Sequence, residues 1–256
     1  MKAVILAGGL GTRLREETEF KPKPMVEIGD KPILWHLMKS ISQYDIREFV
    51  ICLGYKGEQI REYFLNYHAS QNDVRISTLV GTSTLSSENY DVEDWEVVLS
   101  NTGKLTQTGG RIFKSRSYLE KETFLCTYGD GLGDIDIAEL VRFHKSHGKI
   151  ATVTAVHPPS RFGGLDISDL GRVETFEEKP KELSWVSGGF FIFEPAIFDF
   201  LDEESTLEKT PLETLASLGE LYAYKHEGFW QPMDTIRETA ELNKLWETDS
   251  APWKNW

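Results

Sequence analysis

Short apolar, β-branched runs alternate with stretches of helical periodicity through the first half of the chain. Residues 2–6 and 48–53 have the composition of buried strands, and a segment with apolar residues at i, i+3, i+4 and i+7 follows each of them. A third such strand, residues 124–127, precedes a helix pattern that includes Ile137 and Leu140. Strands that alternate with helices pair mainly in parallel, because right-handed crossovers place the helices on the faces of the sheet. The alternation predicts an α/β fold whose ligands bind at the carboxyl ends of the strands.

From residue 150 onward the chain changes to short apolar runs separated by turns. We expect these runs to add strands to the sheet and to form one wall of a pocket. The predicted elements are strands at residues 150–156, 164–167, 173–176, 188–193 and 221–225, and a final helix at residues 235–247. The sequence shows no repeat, low-complexity tract or linker, so one continuous domain over residues 1–256 is the simplest interpretation.

The charge and the cysteines limit the class of protein. With 28 Lys+Arg against 41 Asp+Glu, the net charge is −13, which argues against a nucleic-acid or anionic-membrane partner because such proteins carry a broad basic field. The N-terminal apolar run stops at Gly8-Gly9 and is too short for a signal peptide or a membrane span. Cys52 and Cys126 each lie inside a predicted strand, so we expect both to be reduced core residues. A cytoplasmic protein is therefore expected.

A glycine-rich turn follows the first predicted strand, with the sequence Gly8-Gly9-Leu10-Gly11-Thr12-Arg13-Leu14. Three glycines allow the backbone to approach a phosphate and to direct successive N–H groups at it, while Arg13 adds a charged planar donor. The spacing matches neither the dinucleotide fingerprint nor the Walker P-loop. A tight turn that needs positive φ would select the same glycines, so the turn alone leaves both interpretations open.

Two charged residues close to predicted strands extend this pattern. Lys23 lies in Lys21-Pro22-Lys23-Pro24, where two prolines stiffen the backbone and would hold the lysine in reach of a phosphate at the glycine-rich turn. Asp130 follows the third strand between two glycines, where its carboxylate could hold Mg²⁺, an ion that usually takes one or two protein carboxylates. A solvated loop lysine and a turn aspartate remain the alternatives.

The glycine-rich turn followed by Pro-Lys-Pro-Met resembles the sugar-1-phosphate nucleotidylyltransferases, and the resemblance extends over essentially the whole chain. It is closest to their cytidylyltransferase members through residues 108–111, 128–131, 178–180, 188–191 and 228–235. The resemblance implies a Rossmann-like, mainly parallel mixed sheet of the nucleotide-diphospho-sugar transferase type. It also implies transfer of a cytidylyl group from CTP to α-D-glucose 1-phosphate with Mg²⁺ as cofactor. Residues 1–135 would be mainly nucleotide-binding, 136–234 mainly sugar-binding, and 235–256 a C-terminal helix and tail.

The resemblance further implies roles for individual residues. Arg13, Lys23 and Asp130 would be catalytic, and Asp130 would share the metal with Asp234. The sugar phosphate would be bound by Glu178, Lys179 and Gly189. The nucleotide would be bound by Leu6, Ala7, Gly8, Gly9, Leu10, Gly11, Thr12, Arg13, Lys23, Gly129 and, from the glycine- and hydroxyl-rich stretch 102–111, by Thr106 and Arg111.

Two alternatives remain open at this point: a uridylyl- or thymidylyltransferase acting on a related sugar phosphate, and an inactive regulatory subunit that binds a nucleotide sugar. The resemblance implies a homo-oligomer, such as a hexamer, and a deoxysugar pathway that supplies surface polysaccharide. We expect the polar stretch 70–94 and the aromatic tail 253–256 to be accessible for subunit contacts.

Overall fold

The computed structural model describes residues 1–9, 11, 14, 18–80, 82–85, 93–158, 164–167, 172–177 and 184–256. In chain order, the strands are β1 (Ala3–Ala7), β2 (Glu27–Ile28), β3 (Lys31–Pro32), β4 (Glu48–Leu53), β5 (Val74–Ser77), β6 (Thr82–Leu85), β7 (Glu96–Asn101), β8 (Phe124–Tyr128), β9 (Gly131–Gly133), β10 (Ala151–Val156), β11 (Gly164–Ile167), β12 (Val173–Glu177), β13 (Val186–Phe193), β14 (Leu221–His226) and β15 (Trp230–Pro232). The α-helices are α1 (Ile33–Ser42), α2 (Gly57–Leu65), α3 (Tyr67–Gln71), α4 (Thr108–Lys114), α5 (Arg116–Leu119), α6 (Ile137–His147), α7 (Thr210–Ser217) and α8 (Ile236–Glu247), and Lys23–Met25 and Pro195–Phe200 form 3₁₀ turns.

Seven strands form the central sheet, in the order β14-β10-β13-β8-β1-β4-β7. β1 pairs in parallel with β4 and β8, β4 pairs in parallel with β7, and β10 pairs in parallel with β14. β13 runs antiparallel to both of its neighbours, β8 and β10. The predicted α/β fold with a mainly parallel mixed sheet is therefore confirmed. The carboxyl ends of β1, β4, β7 and β8 meet at one edge of this sheet.

Successive side chains of a strand point to opposite faces of the sheet, and a hydrophobic core lies on each face. In β1, Ile5 packs into the core that contains α1, whereas Val4 packs into the core that contains Ile112 and Phe198. The central strands β1 and β4 are buried on both faces, so their sequences are almost continuous apolar runs. Cys52 and Cys126 are free and fully buried, as expected, and burial raises the pKa of the Cys52 thiol to about 11.

The second half of the chain extends the sheet through β10, β13 and β14, as predicted. β11 and β12 pair with each other as a separate two-stranded sheet, so these two strands do not extend the main sheet. In the polar stretch 70–94, β5 and β6 form a two-stranded hairpin. None of the helices in the described ranges is both long and apolar enough to cross a bilayer.

Helix α4 begins at Thr108 in a stretch where the sequence pattern predicts no helix. Gly109 and Gly110 lie in its first turn, although glycine disfavours helices. A Cβ atom on Gly110 would lie 2.2 Å from the Glu203 carbonyl oxygen, and one on Gly109 would lie 2.8 Å from Ser205 Cβ. Close packing against the 203–205 segment therefore requires both glycines and overrides their weak helix propensity.

The aromatic tail folds back onto the protein, so the expectation that residues 253–256 are accessible is wrong for Trp253. This side chain is fully buried, and its ring stacks on Phe229 with centroids 5.7 Å apart. Its indole Nε1 donates to Nδ1 of His36 on α1 over 3.5 Å. Trp253 has a large apolar surface, and packing into the core beneath α1 removes that surface from water.

His36 is a fully buried histidine held in its neutral form. Its Nε2 lies 2.8 Å from the Ile28 carbonyl oxygen, to which it donates, and its Nδ1 accepts from Trp253. Burial lowers the pKa of His36 to about 4. A proton on Nδ1 would remove the acceptor that Trp253 uses.

Protein stability should therefore fall as the pH decreases from about 6.5 to about 4. Because the folded-state pKa lies below the unfolded value, the stabilisation is complete above pH 6.5 and is lost as the pH approaches 4, by roughly 3 kcal/mol. Urea denaturation at a series of pH values measures the slope of the free energy of unfolding against pH. The slope should flatten in His36→Gln and persist in the exposed control His68→Gln; equal slopes in both variants would refute the assignment.

Candidate active site

A cavity of about 300 Å³ opens at the carboxyl edge of the sheet, where β1 and β8 end. It is lined by Leu6, Ala7, Gly8, Gly9, Gly11, Lys23, Pro24, Thr106, Gln107, Thr108, Arg111, Tyr128, Gly129 and Asp130. The structure thus brings together most of the residues predicted to bind a nucleotide. Among the remaining predicted site residues, Leu10, Thr12, Arg13, Glu178 and Lys179 lie outside the described residues, so their roles stay predictions.

The glycine-rich turn is shaped by a close approach between its backbone and a buried arginine. A Cβ atom on Gly8 would lie 2.1 Å from Cζ of Arg111, so only glycine fits at this position. The Gly8 carbonyl oxygen accepts from Arg111 Nη2 over 2.9 Å and from the Tyr55 N–H over 3.3 Å. The backbone at Gly8 is thereby held in place in the cavity lining.

Arg111 lies on α4 with only 4% of its surface exposed. Its Nη1 donates to the Leu53 carbonyl oxygen over 3.0 Å, to Thr102 Oγ1 over 2.8 Å and to the Gly103 carbonyl oxygen over 2.9 Å. Together with the bond to Gly8, these contacts join the segments that follow β1, β4 and β7. Burial lowers the pKa of Arg111, yet its carbonyl partners suit a charged donor. Its guanidinium therefore acts on the backbone of the site, and its predicted contact with a nucleotide stays a prediction.

Lys23 lies in the 3₁₀ turn at Lys23–Met25. Pro22 precedes this turn, and Pro24 lies within it. Its side chain is buried, and its Nζ donates to Asp130 Oδ2 over 2.6 Å and to Asp234 Oδ1 over 2.5 Å. One ammonium therefore bridges the two carboxylates that were predicted to share a metal ion.

A small two-stranded ribbon brings the two carboxylates together. Asp130 directly precedes β9 and Asp234 follows β15 after one residue, and these two strands pair with Gly131 opposite Pro232. The Met233 N–H also donates to the Asp130 carbonyl oxygen over 2.8 Å. Residues far apart in the sequence thus become neighbours through pairing that no local periodicity reveals.

The N-terminus of α8 holds the backbone at Asp234. Thr235 caps the helix by accepting from the Glu238 N–H over 3.2 Å, and the Glu238 carboxylate accepts from the Asp234 N–H over 2.7 Å. This arrangement differs from a capping box in that Glu238 accepts from the N–H one residue before the N-cap, and a helix N-terminus favours the nearby negative charge of Asp234.

The donors at this site suit a hard divalent cation. Asp130 and Asp234 offer carboxylate oxygens to a single cationic centre, and Mg²⁺ usually takes one or two carboxylates together with water and phosphate oxygens. Within the described ranges, no group of three or more His, Cys, Asp or Glu residues could hold a metal. The two aspartates could supply only part of the ligand shell of such a cation.

Glu208 is a residue at the cavity that the sequence pattern did not indicate. Its carboxylate accepts from the hydroxyl of Tyr128 and from Thr108 Oγ1, the latter over 2.6 Å, and both donors line the cavity. The Tyr128 ring in turn fills the space beside Gly189, where a Cβ atom would lie 2.3 Å from the ring. Gly189 has φ of 76°, so the structure explains this glycine without a ligand. Its predicted sugar contact stays a prediction.

Arg111→Lys should destabilise the fold as well as the site. A lysine cannot reach all of the carbonyl acceptors, and a buried acceptor without a donor costs roughly 1–3 kcal/mol, so we expect a total loss of roughly 3 kcal/mol in urea denaturation. Arg116→Lys is the matched control, because Arg116 makes an exposed ion pair with Glu120. This substitution should lower the free energy of unfolding by less than about 1 kcal/mol. Equal effects of the two substitutions would contradict the structural role of Arg111.

Comparison with known proteins agrees with this geometry. A family model described as nucleotidyl transferase matches residues 2–245. Glucose-1-phosphate cytidylyltransferase of Salmonella typhi is 52% identical over 259 residues, which cover 100% of both chains. The catalytic subunit beta of mannose-1-phosphate guanylyltransferase from Drosophila pseudoobscura pseudoobscura is 32% identical, over 92% of this chain and 60% of that protein.

Solved structures share the fold at lower identity. UDP-glucose pyrophosphorylase complexed with UDP-glucose superposes with a TM-score of 0.66 at 17% identity, covering 97% of this chain and 98% of that one. HddC from Yersinia pseudotuberculosis superposes with a TM-score of 0.65 at 22% identity, covering 96% and 99%. The matched family model and the full-length relative show that this chain belongs to the nucleotidyl transferase family.

Proposed function

We propose that the protein transfers a cytidylyl group from CTP to α-D-glucose 1-phosphate, giving CDP-glucose and pyrophosphate. The observation that carries this proposal is the 52% identity to the Salmonella typhi cytidylyltransferase over the full length of both chains. Because this identity extends over all of both chains, it favours transfer of a cytidylyl group over transfer of a uridylyl or thymidylyl group. The presence of Lys23, Asp130 and Asp234 in one site favours an active enzyme over an inactive regulatory subunit.

The reaction is an in-line displacement at the α-phosphorus of CTP. An oxygen of the sugar phosphate forms the new bond to this phosphorus, and the bond to the β-phosphate breaks with its electron pair leaving on pyrophosphate. The attacking oxygen is already anionic, so a general base or a nucleophile on the protein is unnecessary. The task of the protein is to align two polyanions and to offset their repulsion.

The residues at the cavity divide this task. The backbone of Gly8, Gly9 and Gly11 lines the cavity and would face the β- and γ-phosphates, with Arg13 as their charged partner. Lys23 lines the same cavity and would stabilise charge on the α-phosphate. Lys179 would position the attacking sugar phosphate.

We infer that Asp130 and Asp234 hold Mg²⁺, because their carboxylates converge on one cationic position. The bound ion supplies positive charge against the phosphate oxygens as charge shifts toward pyrophosphate. The capped N-terminus of α8 and the β9–β15 ribbon keep the two carboxylates aligned for it.

The sugar half of the substrate is assigned to residues 136–234, and the nucleotide half to residues 1–135. Glu178 would accept hydrogen bonds from sugar hydroxyls, and Gly189 lies where β13 begins beside Tyr128. Residues 235–256 supply α8 and the tail that closes the core at Trp253. We place the reaction in the cytoplasm, and its product in a deoxysugar pathway that supplies surface polysaccharide such as the O-antigen of lipopolysaccharide.

Pyrophosphate release measures the proposed activity. Purified protein with Mg²⁺ and glucose 1-phosphate should release pyrophosphate fastest with CTP when CTP, UTP, dTTP, ATP and GTP are compared. Asp130→Asn should lower kcat by about 10²–10³-fold, since losing one electrostatic contact to the transition state costs about 2.7–4 kcal/mol. Asp199→Asn is the matched control, because Asp199 is exposed on the Pro195–Phe200 turn away from the cavity lining.

Two results would overturn the assignment. Faster turnover with UTP or dTTP than with CTP would change the nucleotide, and binding of CDP-glucose without any pyrophosphate release would favour the regulatory alternative. Near wild-type turnover in Asp130→Asn would refute the metal assignment.

We also propose that the protein is a homo-oligomer, such as a hexamer. Several large apolar side chains are exposed between the end of α2 and the turn after β5, namely Leu65, Ile76, Leu79 and Val80. Exposed apolar segments of this kind mark subunit contacts. Light scattering should give a mass that is a multiple of 29.2 kDa, and Leu79→Asp should reduce it. A wild-type mass of 29.2 kDa would contradict the proposal.

A further inference from the structure

Lys23 occupies the position between the two carboxylates that would hold the metal. Its Nζ lies 2.6 Å from Asp130 Oδ2 and 2.5 Å from Asp234 Oδ1, both within charge-assisted hydrogen-bond distance. Lys23 is 7% exposed and Asp234 is 6% exposed, so solvent screens this contact weakly. The free protein therefore already offsets part of the negative charge of the two carboxylates with a cation of its own.

A divalent cation that entered between the same oxygens would meet the Lys23 ammonium at close range. The repulsion between the two cations is strong in a partly buried site, and both carboxylates already have a donor. Metal binding to the free protein thus requires that the lysine moves away. A phosphate group in the adjoining cavity is a suitable new partner, because Lys23 lines that cavity too.

Hydrogen bonds hold the backbone around Lys23 in place. The Met25 N–H donates to the Pro22 carbonyl oxygen over 2.8 Å, and the Val26 N–H donates to the Lys23 carbonyl oxygen over 3.0 Å. The 3₁₀ turn and its prolines therefore anchor the main chain. The ammonium is carried on a flexible four-carbon stem that can turn from the carboxylates to a ligand.

We propose that Lys23 is a resident counter-ion that keeps the metal site closed until a nucleotide phosphate draws its ammonium away. The proposal rests on the proposed function, in that it takes Asp130 and Asp234 as the metal ligands. Metal and nucleotide then assist each other's binding, since whatever removes the ammonium from the carboxylates favours the metal. Loss of the positive charge at position 23 strengthens metal binding to the free protein, although the same loss impairs turnover.

Metal binding without nucleotide tests the proposal directly. Mn²⁺, used as a paramagnetic substitute for Mg²⁺, is titrated into the full-length protein, and free Mn²⁺ is measured by electron paramagnetic resonance. Lys23→Met should bind Mn²⁺ at least ten-fold more tightly than wild type. Lys23→Gln, which is also neutral, should do the same and serves if the Met variant does not fold.

Three controls separate the charge of Lys23 from other causes. Lys23→Arg keeps the charge and should bind Mn²⁺ as weakly as wild type, so tight binding in this variant would overturn the proposal. Lys21→Met removes a neighbouring lysine that pairs with Glu27 and should leave the affinity unchanged. Adding Asp234→Asn to Lys23→Met should abolish the gained binding; gained binding that persists would place the metal elsewhere and overturn the proposal.

Equal Mn²⁺ affinities in wild type, Lys23→Met and Lys23→Gln would overturn the counter-ion role. This outcome is distinguishable from failure of the proposed function, because the titration contains neither CTP nor sugar phosphate. A protein that released no pyrophosphate could still show the ten-fold gain, and an active cytidylyltransferase could lack it.

Discussion

The contact of Lys23 with Asp130 and Asp234 joins three parts of the chain that are distant in sequence. Lys23 follows the glycine-rich turn, Asp130 follows β8, and Asp234 precedes α8. A buried ammonium between two carboxylates is stable only if the surrounding backbone holds all three groups in place. The proline-flanked turn, the β9–β15 ribbon and the capped start of α8 all serve this requirement. Much of the structure at this edge of the sheet can be understood as support for that contact.

Arg111 provides a second buried positive charge with a different role. Lys23 engages carboxylates, whereas Arg111 engages carbonyl oxygens that follow β1, β4 and β7. Lys23 and Arg111 both line the cavity, although the chain as a whole has a net charge of −13. Positive charge is concentrated within one cavity and needs no broad basic field. If Asp130 and Asp234 held Mg²⁺, the ion would reverse their local charge, so the two acids are compatible with a phosphate site.

Local periodicity predicted most of the central strands and several helices, but it did not predict β7 or α7. Apolar runs predicted β1, β4 and β8, and the i, i+3, i+4 spacing predicted α1 and α6, because burial on one stripe or on both faces of a strand leaves a direct trace in sequence. All of the predicted nucleotide-binding residues that the structure describes line the cavity.

Features that depend on contacts between distant segments could not be predicted in this way. Helix α4 contains Gly109 and Gly110 because of residues 203–205, which propensity cannot anticipate. Trp253 lies in a C-terminal segment that the sequence pattern predicts to be exposed. It is buried because it packs into the core beneath α1 and donates to His36. Glu208 lies in a loop with no motif, and only the fold brings it to Tyr128 and Thr108.

A double-mutant cycle between Lys23 and Asp234 tests the central contact most directly. Unfolding free energies are measured in urea for wild type, Lys23→Met, Asp234→Asn and the double variant. If the ammonium and the carboxylate interact as in the structure, the two substitutions are non-additive and the coupling energy exceeds about 1 kcal/mol. Additive effects, with a coupling energy near zero, would show that the two groups do not meet in solution and would contradict the assignment of this site.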